Sequence, residues 1–313
     1  LREELKMAHN IQNKLLPEIL SEKGYRTVGV SSNGFISPMY GFDSVFDEFG
    51  VAILRCRQCG HLFSSYDAEV HYDGYFGTES LAASEHAYWD LAHRRVYDHF
   101  GSIFLDGKEG KLLDLGCGLG FFVKRCQEKW PQWKVFACEI SAPAVDYAKR
   151  ELGLTTVSQG LVQEIGYEEN SFDIISLWDV IEHLADPLEV LKCSHGLLKK
   201  GGLLFIHTPN GPIQLWKARV KKLIFGMRES GHYLEAKDHL HLYSQRGIER
   251  LLTRLGFSQV DFTHLEPIQS VSGNRSSLPV LGKNLWYRFS KYLHILSGGR
   301  LNMNNNLFVL AYK

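Results

Sequence analysis

Three glycines alternate directly after an apolar run in Leu112-Leu113-Asp114-Leu115-Gly116-Cys117-Gly118-Leu119-Gly120-Phe121. Glycines in such a place permit unusual backbone dihedrals, clear side chains from the path of a ligand and let the next helix pack close to the strand. The stretch therefore reads as a strand-to-helix turn that cradles a nucleotide-type ligand. A second apolar strand, Val135-Phe136-Ala137-Cys138-Glu139, ends in an acid about twenty residues further on, where a carboxylate can accept from both hydroxyls of a ribose. A dinucleotide site would want G-x-G-x-x-G, but Phe121 stands where its third glycine belongs. Asp114, just ahead of Gly116, suits a ligand carrying an ammonium group better than a pyrophosphate. Dinucleotide oxidoreduction is therefore disfavoured.

With Asp114, Gly116, Gly118, Gly120 and Glu139 in this order, the chain resembles the class I S-adenosylmethionine-dependent methyltransferases from about residue 85 to its end. Ser171-Phe172-Asp173-Ile174-Ile175-Ser176-Leu177-Trp178-Asp179-Val180-Ile181-Glu182-His183 resembles that family's fourth strand and the loop closing on the methionine end of the cofactor. Leu197 to Ile206 resembles its helix, glycine turn and fifth strand, and Leu255-Gly256-Phe257 the entry into its sixth. The resemblance implies S-adenosylmethionine as cofactor, held by Asp114, Gly116, Cys117, Gly118, Gly120 and Phe121 on the turn and by Glu139 and Ile140 at the ribose. It implies Leu161 and Val162 at the adenine and Trp178, Asp179 and Val180 at the methionine end. Leu161 departs from the acid that family members commonly carry there, which leaves the adenine to backbone groups and apolar packing and allows weaker binding.

Methyl transfer is an in-line displacement, so alignment outweighs covalent chemistry, and a base helps when the acceptor is a hydroxyl or amine. His183, just past the fourth strand, is the first candidate base, against the plainer reading that it only fixes its loop. His239, in Asp238-His239-Leu240-His241-Leu242-Tyr243, is the second, on the substrate side, with His241 structural. The expected activity is O-methylation of a small or carrier- or lipid-linked acceptor. The alternatives are N- or C-methylation of a sugar or secondary metabolite, and a binding protein of this fold that has lost catalysis.

These residues need a scaffold, and alternating strands and helices supply one. The expected fold is α/β, a doubly wound, seven-stranded, mostly parallel sheet, preceded by a small N-terminal module. Strands are expected at 111–115, 134–139, 155–158, 172–177, 203–208 and 306–312, and the family resemblance implies that the last inserts antiparallel between the fifth and sixth. Helices start behind Ser141, Asp186 and Ser244, the first two with proline in the first turn. The module takes residues 1–84 and the methyltransferase domain 85–313, with lid segments at 211–237 and 269–305. A charged helix opens the module at 1–20. Cys56 and Cys59 then form a knuckle like half a zinc ribbon, but structural zinc wants four ligands and no cysteine precedes them. No stoichiometric metal is expected unless His61, His71 or a partner chain completes the set.

The first lid segment pairs an apolar face, Trp216, Val220 and Leu223, with Lys217, Arg219, Lys221 and Lys222. That combination suits a phosphorylated or lipid-linked acceptor, peripheral contact with an anionic membrane, or an ordinary cover helix. Leu285 to Leu293 adds a second aromatic surface, to wall a pocket or pack on the core. Across 313 residues, 35 bases balance 35 acids, which excludes bulk attraction to nucleic acid. Cysteines at core-like positions and the lack of a long apolar run point to a cytoplasmic chain without a membrane span. The sequence is silent on oligomeric state.

Overall fold

The computed structural model describes residues 25–28, 53–56, 60–64, 88–225, 239–268 and 277–313. The expected opening helix, Cys59 and His71 lie outside them. Three short strands come first: β1 (Tyr25–Val28), β2 (Ile53–Cys56) and β3 (Leu62–Ser64). A π-helical turn, Tyr88–Ala92, leads into α1 (Arg94–Phe104). The chain then alternates: β4 (Gly110–Leu115), α2 (Phe121–Lys129), β5 (Trp133–Glu139), α3 (Ala142–Arg150), β6 (Val157–Gln159), β7 (Phe172–Trp178), α4 (Pro187–Leu197) and β8 (Leu198–Pro209). It closes with α5 (Gly211–Phe225), β9 (His241–Leu242), α6 (Gln245–Arg254), β10 (Gln259–Thr263), α7 (Ser277–Leu296) and β11 (Asn306–Tyr312).

Two compact units result. Leu1–His71 with Asn210–Gly247 form one, and Tyr72–Pro209 with Ile248–Lys313 the other. In the first, β1, β2, β3 and β9 make an antiparallel sheet in that order. Leu62 faces Leu242 and Phe63 faces His241, and the Ser64 amide donates to Leu240 O at 2.8 Å. This pairing satisfies backbone groups along the edge of β3 and ties residues beyond the first expected lid segment to the N-terminal sheet. Residues 210–247, α5 included, group with the first unit.

The second unit holds a seven-stranded sheet of order β10-β11-β8-β7-β4-β5-β6. β4 to β8 run parallel, while β11 lies antiparallel between β8 and β10, as the family resemblance implies. Apolar residues fill both faces of the central strands. On one face Phe100 of α1, Phe122 of α2, Trp178 and Phe205 pack at ring-centroid distances of 4.6–5.6 Å. Helix starts follow the sequence closely. Ser141 Oγ accepts from the Ala144 amide, and Asp186 Oδ1 from those of Leu188 and Glu189.

The third glycine of the turn is a packing residue. Gly120 sits at φ +85, and a Cβ there would lie 2.6 Å from Leu154 Cδ1 and 3.2 Å from Ala148 Cβ on α3. Gly153 shares the left-handed backbone, φ +70, with nothing near it. Gly153→Ala should therefore cost about 1 kcal/mol, and Gly120→Ala about 1–3 kcal/mol more, because it adds overpacking to the same strain. Equal costs in chemical denaturation would show that α3 is free to move away.

Candidate cofactor and active site

The parallel strands end together, and their carboxyl ends gather most of the residues expected to bind a ligand. Beyond β4 the chain turns through Gly116 at φ +66 and Gly118 at φ +53. The amides of Gly116 and Cys117 both donate to Cys138 O, at 2.9 and 3.1 Å. Glu139 closes the corner. Its Oε2 accepts from the Gly118 amide and its Oε1 from the Ser141 amide, each at 2.9 Å. Burial pushes the Glu139 carboxyl up, and the amides of Ser141, Gly118 and Ile140 work against that rise. Each oxygen keeps a lone pair for a ligand hydroxyl.

Asp114 turns inside the sheet beside Ser176, its neighbour on β7, whose Oγ donates to Asp114 Oδ1 at 2.7 Å. Burial raises the Asp114 carboxyl to about 8, the Ser176 bond opposes the rise and the Glu139 charge adds to it. At neutral pH Asp114 is therefore mostly protonated until a cation arrives. Burial above all, with the neighbouring carboxyl groups, also holds the Cys117 thiol well above its usual range. Phe121 stands 6.1 Å from the Tyr147 ring. Ile140 and Leu161 are exposed, and Val162 is buried.

Past β7 the expected methionine-end residues part company. Trp178 enters the aromatic core, touching Tyr97, Phe100, Phe122 and Phe205, and its Nε1 has no hydrogen-bond partner among the described residues. Val180 packs at the glycine turn, where a Cβ on Gly116 would lie 2.8 Å from its Cγ2. Asp179, at φ +52, is gripped by two fully buried histidines: His207 Nδ1 lies 3.1 Å from Oδ1 and His93 Nε2 3.7 Å from Oδ2. Burial alone would raise its carboxyl, but His207 and His93 outweigh that and hold it well below the usual range. Beside it, burial first and then the Asp179 charge push the Glu182 carboxyl well up, with Thr208 Oγ1 donating to Oε2 at 2.9 Å.

Sequence reasoning missed Ser176, His93 and His207. Ser176 was readable as a polar residue in an apolar strand, two places before Trp178 on the same face. His93 and His207 carry no local signal, since only the fold brings them to Asp179. His183 stands in the turn after Asp179, its amide donating to Val180 O at 2.9 Å. His239 belongs to the first unit, just ahead of β9. There His61 Nε2 lies 3.1 Å from His241 Nδ1, and burial followed by the His241 charge lowers His61 to about 4. Cys56 ends β2, its amide donating to His61 O at 2.8 Å.

A family model described as a methyltransferase domain matches residues 88–261, which span β4 to β8 and all the carboxyl-edge residues above. The chain belongs to this methyltransferase family. It is 26% identical over 156 residues to a ubiquinone biosynthesis O-methyltransferase of Histophilus somni, covering 45% of this chain and 65% of that protein. The protein of the same name from Parvibaculum lavamentivorans is 32% identical over 130 residues, covering 37% and 48%. The matches thus span about half to two thirds of these curated relatives. Among solved structures, phosphoethanolamine N-methyltransferase 2 of Haemonchus contortus, in complex with S-adenosylmethionine, matches at a TM-score of 0.50 and 18% identity, over 78% of this chain and 60% of that one. The plantazolicin methyltransferase in complex with S-adenosylhomocysteine matches at 0.50 and 13%, over 79% and 93%. At these identities the likeness shows a shared class I methyltransferase fold.

The buried Asp114 of this methyltransferase fold makes a direct test. In the ligand-free protein its carboxyl carbon should titrate near pH 8 by NMR, and Ser176→Ala should move the midpoint higher by removing the one bond that favours the charged form. The folded state then holds a proton that the unfolded chain releases near pH 4, so this group's contribution to stability falls as pH rises from about 4 to about 8. A midpoint near 4 in both proteins would show that water reaches Asp114.

Proposed function

We propose that this chain is an S-adenosylmethionine-dependent O-methyltransferase acting on a small or carrier- or lipid-linked acceptor. The observation that carries the reading is Glu139, buried at the end of β5 with both oxygens on amides that flank the glycine turn and a lone pair left on each. Such an acid suits a ribose with two free hydroxyls, and Asp114, raised to about 8, suits the ammonium of an amino-acid tail. The residues present therefore fit the cofactor: Glu139 for the ribose, the Gly116–Gly120 turn and Asp114 for the methionine end, Leu161 and Val162 for the adenine. When bound, the cofactor supplies a methyl group on a cationic sulfur. The names of the curated relatives support oxygen as the acceptor atom.

The protein's own part is alignment and proton removal. The Asp179 bridge to His93 and His207 fixes the backbone after β7 in a left-handed conformation, which sets the turn that carries Val180 and His183. His183 is the proposed base for the acceptor hydroxyl. A binding protein of this fold without catalysis is the second reading, favoured only by Leu161 in place of an acid at the adenine.

Turnover separates them. Slow conversion of S-adenosylmethionine to S-adenosylhomocysteine with a phenolic acceptor pool is expected of the enzyme and absent for the binding protein. His183→Ala should lower kcat by about a hundredfold or more while sparing cofactor affinity, and the residual rate should climb with pH as the acceptor ionises unaided. Parent-level turnover by that variant would leave alignment as the whole of catalysis. His239→Ala, made separately, asks whether the first unit contributes to the rate.

A further inference from the structure

Helix α7 presents an apolar stripe that nothing among the described residues covers. Trp286 anchors its inner side, donating from Nε1 to Met303 O at 3.0 Å. Ser290 is fully buried there, its Oγ 3.4 Å from His264 Nε2, and the His294 ring lies tilted against that of His264 with centroids 4.5 Å apart. The opposite side carries Leu285, Phe289, Tyr292 and Leu296, each at least half exposed. Their spacing of four, three and four places them within an arc of about 60° at the 3.6-residue helical period. Ile295 and, just past the helix, Leu301 extend the exposed apolar surface.

Charge on α7 itself has one sign, and Glu266 of the preceding segment lies near Tyr287. Residues 277–300 hold no Asp or Glu but hold Lys283, Arg288, Lys291 and Arg300, in a protein whose totals balance at 35 and 35. Arg288 and Lys291 are exposed along one border of the stripe, and Arg300 follows the helix. A second copy seated on this face across a two-fold axis would bring those cations against themselves with no acid of the segment to offset them. A 20-residue basic and apolar helix too polar to span a bilayer fits the plane of an anionic lipid surface, with the side chains of the stripe at the acyl boundary and the cations among the headgroups.

We propose that α7 is a docking surface for anionic lipid bilayers, seated through Leu285, Phe289, Tyr292 and Leu296 and steered by Arg288 and Lys291. The docking is independent of methyl transfer. It gives the exposed aromatic surface a role that neither a pocket wall nor core packing supplies, since these side chains face away from the protein.

Vesicle co-sedimentation of the full chain tests it, with phosphatidylcholine alone or mixed with phosphatidylglycerol as the lipid. Binding to the mixed vesicles is expected to exceed binding to the neutral ones at least tenfold and to weaken as salt rises. The double variant Phe289→Ser, Leu296→Ser should lose binding to both. Arg288→Glu with Lys291→Glu should lose only the preference for the anionic lipid. All these side chains are exposed, so the variants should melt and bind S-adenosylhomocysteine like the parent, and a variant that does not is replaced by Leu285→Ser with Tyr292→Ser. Binding that is unchanged in the variants, or absent from both vesicles, overturns the proposal. So does a concentration-dependent dimer that the serine variants dissolve, which would assign the face to a second copy.

Discussion

The Glu139 carboxylate, buried at the end of β5 and bonded to the amides of Gly118 and Ser141, is the constraint on which the carboxyl edge depends. It ties the turn after β4 to the start of α3, two junctions that no sheet hydrogen bond connects. Hydrogen bonds to a charged group contribute about 1.5–3 kcal/mol each, enough to offset much of the cost of burying the acid. The glycines answer the same demand. Gly118 brings its amide within reach of the carboxylate, and Gly120 lets α3 lie close enough for Ser141 to arrive on the other side.

The edge is poor in positive charge at its centre. Asp114, Glu139 and Glu182 are all pushed toward the neutral form, chiefly by burial, while Asp179 stays ionised because His93 and His207 flank it. A cluster of carboxyl groups held out of their usual range marks a candidate functional edge. The fold pays for this with a left-handed aspartate and with two histidines withdrawn from solvent.

The sheet was legible in the sequence because each strand is an apolar run ended by glycine, acid or turn residues, and each helix start carries its own cap. Periodicity says which residues face inward along an element, so Asp114 and Glu139 stood out as acids in apolar company. Pairings across the fold were not legible. The Asp114 and Ser176 contact joins residues 62 positions apart, and Asp179 meets histidines from α1's N-terminus and from β8, neither marked by a neighbour of special type. The pairing of β9 with β3 was hidden for the same reason. Two residues, His241 and Leu242, pair with β3 across about 180 positions, and a two-residue strand leaves no periodic trace. Leu285 to Leu293 read equally well as pocket wall or core, because helical spacing reports an apolar face without saying what lies against it.

Titration calorimetry with S-adenosylhomocysteine, on the parent chain and on Glu139→Ala, tests the central claim most directly. One ligand is expected to bind per parent chain, and the variant should bind at least tenfold more weakly, as losing hydrogen bonds to a charged acceptor requires. NADH should give no heat with either protein. Equal affinity of parent and variant, or NADH binding in place of S-adenosylhomocysteine, would contradict the assignment of this edge.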